Sequence, residues 1–558
     1  MNFEAYLSDL DARYDPSLRV VGRVAQTPGY HTRIADGTWV HETRESMDYA
    51  IALLQANTPE RNARACDVID RIVELQVTDP TVKHYGIWGW FVEEPPEQMN
   101  PADWNWADFI GVRLAQVLSK HASQLRDATR SGARAALGHA GMCVFRRNIG
   151  PEYTNIAVMG AVATAAAGEL LGMPMLLEYA RARLTSVVRL LERTGGFNEY
   201  NSPAYTRIVI EETERALLMI KDGGVRELCE RLRVAAWETI ADHFHPATGQ
   251  IAGPCSRTYT DLLPHTAAAY FSEQADAPVF FPTQRDKLFV GSTVGDYNVV
   301  PGIPCPESLK QRFAKLPTDP YEVAQKYGHN LYGDVIGTTW FSKDACLGSI
   351  NHDITWVQRR PLLGYWRGGE DSVAVLRGRM LRDGADLACG YVWQAAKGPR
   401  VLTSWSLVHG GGDRHPFFDR NDESVFEMSD LRVRYQLAGA GARVEQIGDS
   451  TYRLSAGGHC AILSLCDLRL FCGEPARIEL ANGDDLAGVD VVLYQGPKRA
   501  LKCMTDTIEL VAGVQIAETG IDLPIETPKI VEARDNARTW AWHSLRMTAP
   551  VSPSAFTW

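Results

Sequence analysis

Several stretches of the sequence gather side chains able to hold and act on a polar substrate. From Gly195 to Tyr205 the chain reads GGFNEYNSPAY, so Asn198, Glu199, Tyr200, Asn201, Ser202 and Tyr205 crowd one turn that precedes an apolar helical pattern. From His84 to Gly111, HYGIWGWFVEEPPEQMNPADWNWADFIG combines Trp88, Trp90, Trp104 and Trp106 with Glu93, Glu94, Glu97, Asp103, Asn105 and Asp108. Flat aromatic rings beside carboxylates and amides suit a sugar, whose C–H face stacks while its hydroxyls take directional partners. The plainer reading is a loop stapled down by Trp residues, with solvated acids and a helix cap near Asp108.

A third stretch, RRNIGPEYTN, runs into a helix with Asn155 near its start. An amide there either caps the helix or binds a carboxylate with help from the helix dipole. In the turn, Ser202 and Pro203 read as cap and first-turn residue, which leaves Asn198, Glu199, Tyr200 and Tyr205 unexplained by capping. GPCSRTYTD adds Arg257 and Tyr259. INHDITWVQRRPLLGYW adds His352, Asp353, Arg359 and Arg360. Adjacent Arg residues on a strand point to opposite faces, so one of the pair faces any given site, and Arg360 is taken as the substrate-binding one. HGGGDRHPFFDR offers His409, Asp413 and His415 as weak metal ligands, with a Gly-rich loop as the alternative.

The elements that must carry these groups fall into two textures. From about Glu42 to Phe244 apolar residues recur at helical spacing, as with Met47, Ala50, Ile51 and Leu54, and the connections are short. After about Pro282 the segments are short, β-branched or alternating, and separated by Gly, Asp and Asn turns, as in SVAVLRGRML and VLTSWSLV. Strands without intervening helices indicate an antiparallel sandwich. The expectation is an α+β multidomain chain, with helical paired rings over 1–285 and an antiparallel β-sandwich over 286–558.

Composition narrows the function. The 558 residues exceed one ordinary core, and a formal net charge of -11 gives no attraction to nucleic acid or anionic membranes. Eleven cysteines, scattered and without a CxxC pair, indicate neither a disulfide framework nor a zinc ribbon. The acidic start, MNFEAYLSDLDARYD, has no apolar signal-like stretch, so a soluble cytoplasmic protein with no membrane partner is expected.

Taken together, GGFNEYNSPAY, the YTN helix upstream and the strands downstream resemble the heparinase II/III-like polysaccharide lyases, which include oligoalginate lyases. The resemblance implies an incomplete (α/α) toroid followed by an antiparallel β-sandwich, and β-elimination on a uronate-containing glycan with no required cofactor. It implies that Asn155 neutralises the uronate carboxylate and that Glu199 is the conserved-type acid of the turn. Tyr205 is the first choice for proton transfer, Tyr200 the second and Tyr259 the third. Arg257 and His352 would neutralise or tune. Trp88, Trp90, Trp106, Asp108, Asn198, Asn201 and Arg360 would bind substrate. Two departures stand: the family's HxHxD element is absent in that form, and so is the His beside the YTN asparagine. A cytoplasmic enzyme of this kind would be exo-acting on imported oligosaccharides, and a homodimer is left open. Two rivals remain, a glycoside hydrolase using Asp108 with Glu199, and a non-catalytic carbohydrate-binding protein.

Overall fold

A computed structural model of the chain describes residues 3–26, 31–280, 282, 299–300, 302–409, 423–521 and 523–555. The chain divides into two compact units that interrupt one another in sequence. One comprises Met1–Arg193, Tyr205–Glu238 and Val290–Pro306. The other comprises Thr194–Ala204, Thr239–Phe289 and Glu307–Trp558. The turn of residues 194–204 and residues 239–289 go with the strands, and Val290–Pro306 goes with the helices.

The first unit is helical. Its elements are α1 (Phe3–Arg13), α2 (Thr43–Ala56), α3 (Pro59–Glu74), α4 (Trp106–Lys120), α5 (Asp127–Arg147), α6 (Thr154–Leu171), most of α7 (Pro174–Thr194), α8 (Tyr205–Met219) and most of α9 (Gly223–His243). Helix α6, TNIAVMGAVATAAAGELL, is long and apolar enough to cross a membrane, yet 83% of it is buried, so it is the unit's central helix. Its small residues explain how. Gly168 lies against Leu177 of α7, Ala167 against Gly141 of α5 and Ala163 against Gly111 of α4, approaches that a larger side chain would block.

The same neighbours fix direction. Gly138, Gly141 and Val144 of α5 meet Leu171, Ala167 and Gly160 of α6, a descending order that makes the pair antiparallel. Asp108 and Gly111 of α4 meet Gly160 and Ala163, an ascending order that makes α4 and α6 parallel. Arg215 of α8 donates to Gln116 of α4, and Glu212 lies within electrostatic reach of Arg113, so α8 runs parallel to α4 as well. Helices α4, α6 and α8 therefore begin at one end of the unit.

The second unit is mostly strands. One sheet runs in the order Arg477–Asn482, Leu486–Lys502, Val425–Ala438, Val373–Arg382, Leu362–Arg367, Ala345–Ile350, Gly333–Phe341 and Tyr321–Asn330. A second runs Arg443–Gly448, Thr451–Ala456, His459–Leu465, Val511–Glu518, Arg400–His409, Gly390–Lys397 and His352–Ile354. Neighbours along both paths are antiparallel. Leu376, Leu431 and Val489 of the first sheet join Val401, Trp405, Leu463 and Val514 of the second in one apolar cluster. The helix α10 (His265–Ala275) belongs to this unit.

Candidate functional site

In the helical unit, three helix starts carry the polar groups singled out from sequence. Trp106 and Asp108 lie in the first turn of α4, Asn155 in that of α6, and Tyr205 opens α8. Because the three helices are parallel, their positive dipole ends share one end of the unit, a setting that favours an anion. Asn155 and Tyr205 are both buried. Helix α8 begins two residues beyond Pro203, so the proline precedes its first turn.

The loop before α4 is organised by Asp103. Its carboxylate accepts the indole N–H of Trp90 at 3.1 Å and the backbone N–H of Asn105 at 3.0 Å. Trp90 stacks on Trp106 with ring centres 5.2 Å apart, and Arg44 lies 5.3 Å from the Trp106 ring centre on a cation–π contact. The Trp106 indole donates to Thr43 at 2.8 Å. Trp88 differs from the expectation: it is wholly buried and its indole donates to the Ile72 carbonyl at 2.8 Å, so it is core and has no face for a ligand.

Asp108 is buried to the same degree as Asn155. Burial pushes its carboxyl up to about 6, partly offset by Arg183 and then Arg147. Its Oδ2 lies 3.7 Å from Arg147 Nη1, while its Oδ1 faces Gly160 and has no hydrogen-bond partner. Arg183 donates to the Tyr179 hydroxyl at 2.7 Å and to the Ile156 carbonyl at 3.1 Å. Arg147 donates to Asn105 Oδ1 at 2.7 Å, and Asn105 Nδ2 donates to the Tyr153 hydroxyl at 3.3 Å. The RRN run also carries Arg147, which no motif marks. Its signal was a cation ending one helix, eight positions before the asparagine that opens the next.

In the strand unit, the polar turn is largely consumed by its own anchoring. Asn201 adopts a left-handed backbone, φ 45°, and its amide N–H groups donate to the Ala252 and Pro254 carbonyls. Ser256 donates its N–H and hydroxyl to the Tyr200 carbonyl at 3.0 and 2.9 Å, and Ser202 donates to the Arg257 carbonyl at 2.6 Å. Asn201 is therefore a fully buried brace rather than a substrate ligand. Asn198 is half-buried near Gly328.

Tyr200 is buried, stacks on Tyr327 at 4.7 Å and donates to Asp353 Oδ2 at 2.6 Å. Burial first and Asp353 second raise its phenol well above the ordinary range, which is the opposite of what a base requires. Asp353 also takes Arg359 Nη1 at 2.5 Å. Of the two adjacent arginines, Arg359 is thus the one beside Tyr200. Arg360 is buried against Asp261 at 2.5 Å, where Arg377 completes a triad at 2.7 Å, so it is structural and the substrate-binding expectation for it is corrected.

Glu199 accepts from Arg257 Nη1 at 2.9 Å, and Arg257 Nε donates to Gln358 Oε1 at 3.0 Å. Tyr259 is half-buried two residues further on. His352 Nδ1 lies 3.1 Å from the Tyr391 hydroxyl, within a cluster that includes Tyr332 and Trp393. Burial lowers the His352 pKa, so the imidazole is neutral at pH 7. His409 Nδ1 lies 3.2 Å from Ser424 Oγ; Asp413 and His415 fall outside the described residues. Among the described residues no group of three His, Cys, Asp or Glu side chains is arranged to hold a metal.

A family model described as Domain of unknown function (DUF8769) matches residues 3–271. No curated protein matches the chain. Among solved structures, the chain is similar to a heparinase III, with 9% identity and a TM-score of 0.40 over 95% of this chain and 86% of that one. It is also similar to the Streptomyces coelicolor A3 chondroitin AC lyase in complex with chondroitin sulphate, with 11% identity and a TM-score of 0.32 over 92% of this chain and 96% of that one. Likeness at this distance carries no argument about activity, which rests on the residues themselves.

Proposed function

We propose that the chain is a lyase that cleaves a uronate-containing oligosaccharide by β-elimination, with Asn155 neutralising the carboxylate and Tyr205 moving the proton. The observation that carries this reading is the placement of Trp106, Asn155 and Tyr205 in the first turns of three parallel helices of one unit.

The reaction explains why those groups are needed. A base removes the C5 proton next to the carboxylate, negative charge spreads onto that carboxylate, and the C4–O bond breaks. The C5 proton is weakly acidic, so charge stabilisation decides the rate. An amide donor aimed at the carboxylate is worth about 10²–10³ in rate, and each helix start adds a favourable field of roughly 0.3–1 kcal/mol. A tyrosine phenolate takes the proton, and the same phenol returns one to the leaving oxygen, a transfer worth roughly 10²–10⁴. Tyr205 holds this role in preference to Tyr200, whose hydrogen bond to Asp353 and burial keep it protonated.

The substrate is an acidic oligosaccharide taken from its end, in keeping with a cytoplasmic enzyme fed by import. The deciding experiment follows ultraviolet absorbance of the unsaturated product over a panel of glucuronate-, iduronate-, mannuronate- and guluronate-containing oligosaccharides. A rise with wild type that is lost in Tyr205→Phe is expected. New reducing ends without any rise would replace the lyase by a hydrolase.

A further inference from the structure

We propose that Arg147 binds an oxyanion of the substrate, a carboxylate or a sulfate, and that Asp108 and Asn105 are the positioning residues that hold it ready. The proposal deepens the lyase reading and rests on it for the substrate class.

Arg147 ends α5, beside the starts of α4 and α6. Its Nη1 donates to Asn105 Oδ1 at 2.7 Å and lies 3.7 Å from Asp108 Oδ2. A guanidinium presents five N–H donors in a rigid fork. Within the described residues only this one nitrogen has a protein partner. The Arg147 side chain keeps 22% of its exposure while Asp108 keeps 2%, so the fork is fixed from beneath and open on its other side. Asn105 in turn donates to Tyr153, two residues before Asn155, which ties the arginine to the end of α6 that carries the proposed carboxylate ligand.

The surrounding charges make an anion the fitting ligand. Two guanidiniums, Arg147 and Arg183, face the single carboxylate of Asp108. Arg183 is occupied by Tyr179 and the Ile156 carbonyl. Asp103, the other nearby acid, is taken up by Trp90 and the Asn105 backbone, with His31 at 3.9 Å. The buried Cys143 thiol is pushed up to about 12, first by burial and then by Asp108, and stays neutral. Arg183 also keeps an unpartnered Nε, but that atom is buried, so Arg147 is the partly exposed cation of this group with donors to spare. A planar fork matches carboxylate or sulfate oxygens two at a time.

The test is equilibrium binding by calorimetry, with the Tyr205→Phe background preventing turnover. The probes are sulfated uronate oligosaccharides, their desulfated forms and their carboxyl-reduced forms. Arg147→Gln is expected to weaken binding of the anionic probe about 10- to 100-fold, with no loss for the probe from which the recognised group has been removed. Loss that vanishes with carboxyl reduction identifies the carboxylate; loss that vanishes with desulfation identifies the sulfate. Arg147→Lys should recover part of the affinity, since it keeps charge without the fork. Asp108→Asn should weaken binding less and flatten its pH dependence around 6. Equal affinity of Arg147→Gln and its parent for every probe overturns the proposal, as does failure of the parent to bind any anionic probe. Failure of the lyase reading is seen separately, as wild type that binds the probes and yields no unsaturated product.

Discussion

Tyr200 donates its hydroxyl to Asp353 Oδ2 at 2.6 Å, within the interior of the strand unit, and Arg359 donates to the same oxygen. The contact spans 153 positions and makes the tyrosine a fastening. Tyr200→Phe should therefore keep most of the elimination rate and lower stability by about 1–2 kcal/mol, since Asp353 retains Arg359. Parallel ultraviolet assays and denaturant melts read both quantities. Abolished turnover with unchanged stability would return Tyr200 to the chemistry.

Asn155 makes the opposite prediction. Asn155→Ala should reduce kcat by about 10²–10³ with a smaller change in KM, because the amide acts where charge develops. Steady-state kinetics on the best substrate of the panel check it. A rise in KM alone would mean that Asn155 only holds the ground state.

Asp108 provides a pH signature. Its native carboxyl is raised to about 6 from an ordinary 3.8, so the stability it contributes is full below about pH 4 and is lost as pH rises through 6. Relative to Asp108→Asn, wild type should lose about 3 kcal/mol across that window. Urea melts of both proteins at several pH values give the difference. A constant gap between them would show that the carboxyl titrates normally.

Asp261 behaves in the reverse sense. Burial alone would raise its carboxyl, but Arg360 and then Arg377 bring it down to about 2. Its stabilising contribution is present above about pH 4 and disappears as pH falls through 2. Asp261→Ala leaves two buried guanidiniums uncompensated and should cost about 3–5 kcal/mol at neutral pH. Thermal melts check it; a loss under 1 kcal/mol would mean that water reaches the arginines.

Much of the architecture was legible in local pattern. The 3.6-residue spacing of Met47, Ala50, Ile51 and Leu54 located α2, whereas the close approach of neighbours to the small residues of 154–171 is seen only in the structure. The alternation after Pro282 located strands such as Val373–Arg382 and Arg400–His409. Position within a loop was not legible, because loops have no period. Trp88 and Trp90 are two residues apart, yet one fills the core and the other stacks on Trp106. The strand alternation expected of Arg359 and Arg360 does not describe them, because they follow a turn and only Arg360 makes an isolated bridge, to Cys255. The polar turn of 194–204 looked like a binding site because its partners, residues 252–258 and Asp353, lie 50 to 150 positions away.

The interleaving of the two units has a corollary. Residues 194–204 leave the helical unit to join the strands, and Tyr205–Glu238 then return to complete the helices before the chain departs again. Neither unit is a contiguous stretch, so no single crossover in the gene could transplant one without severing the other. Either unit, taken alone, would have to be assembled from separate pieces of the chain rather than cut out as one continuous stretch.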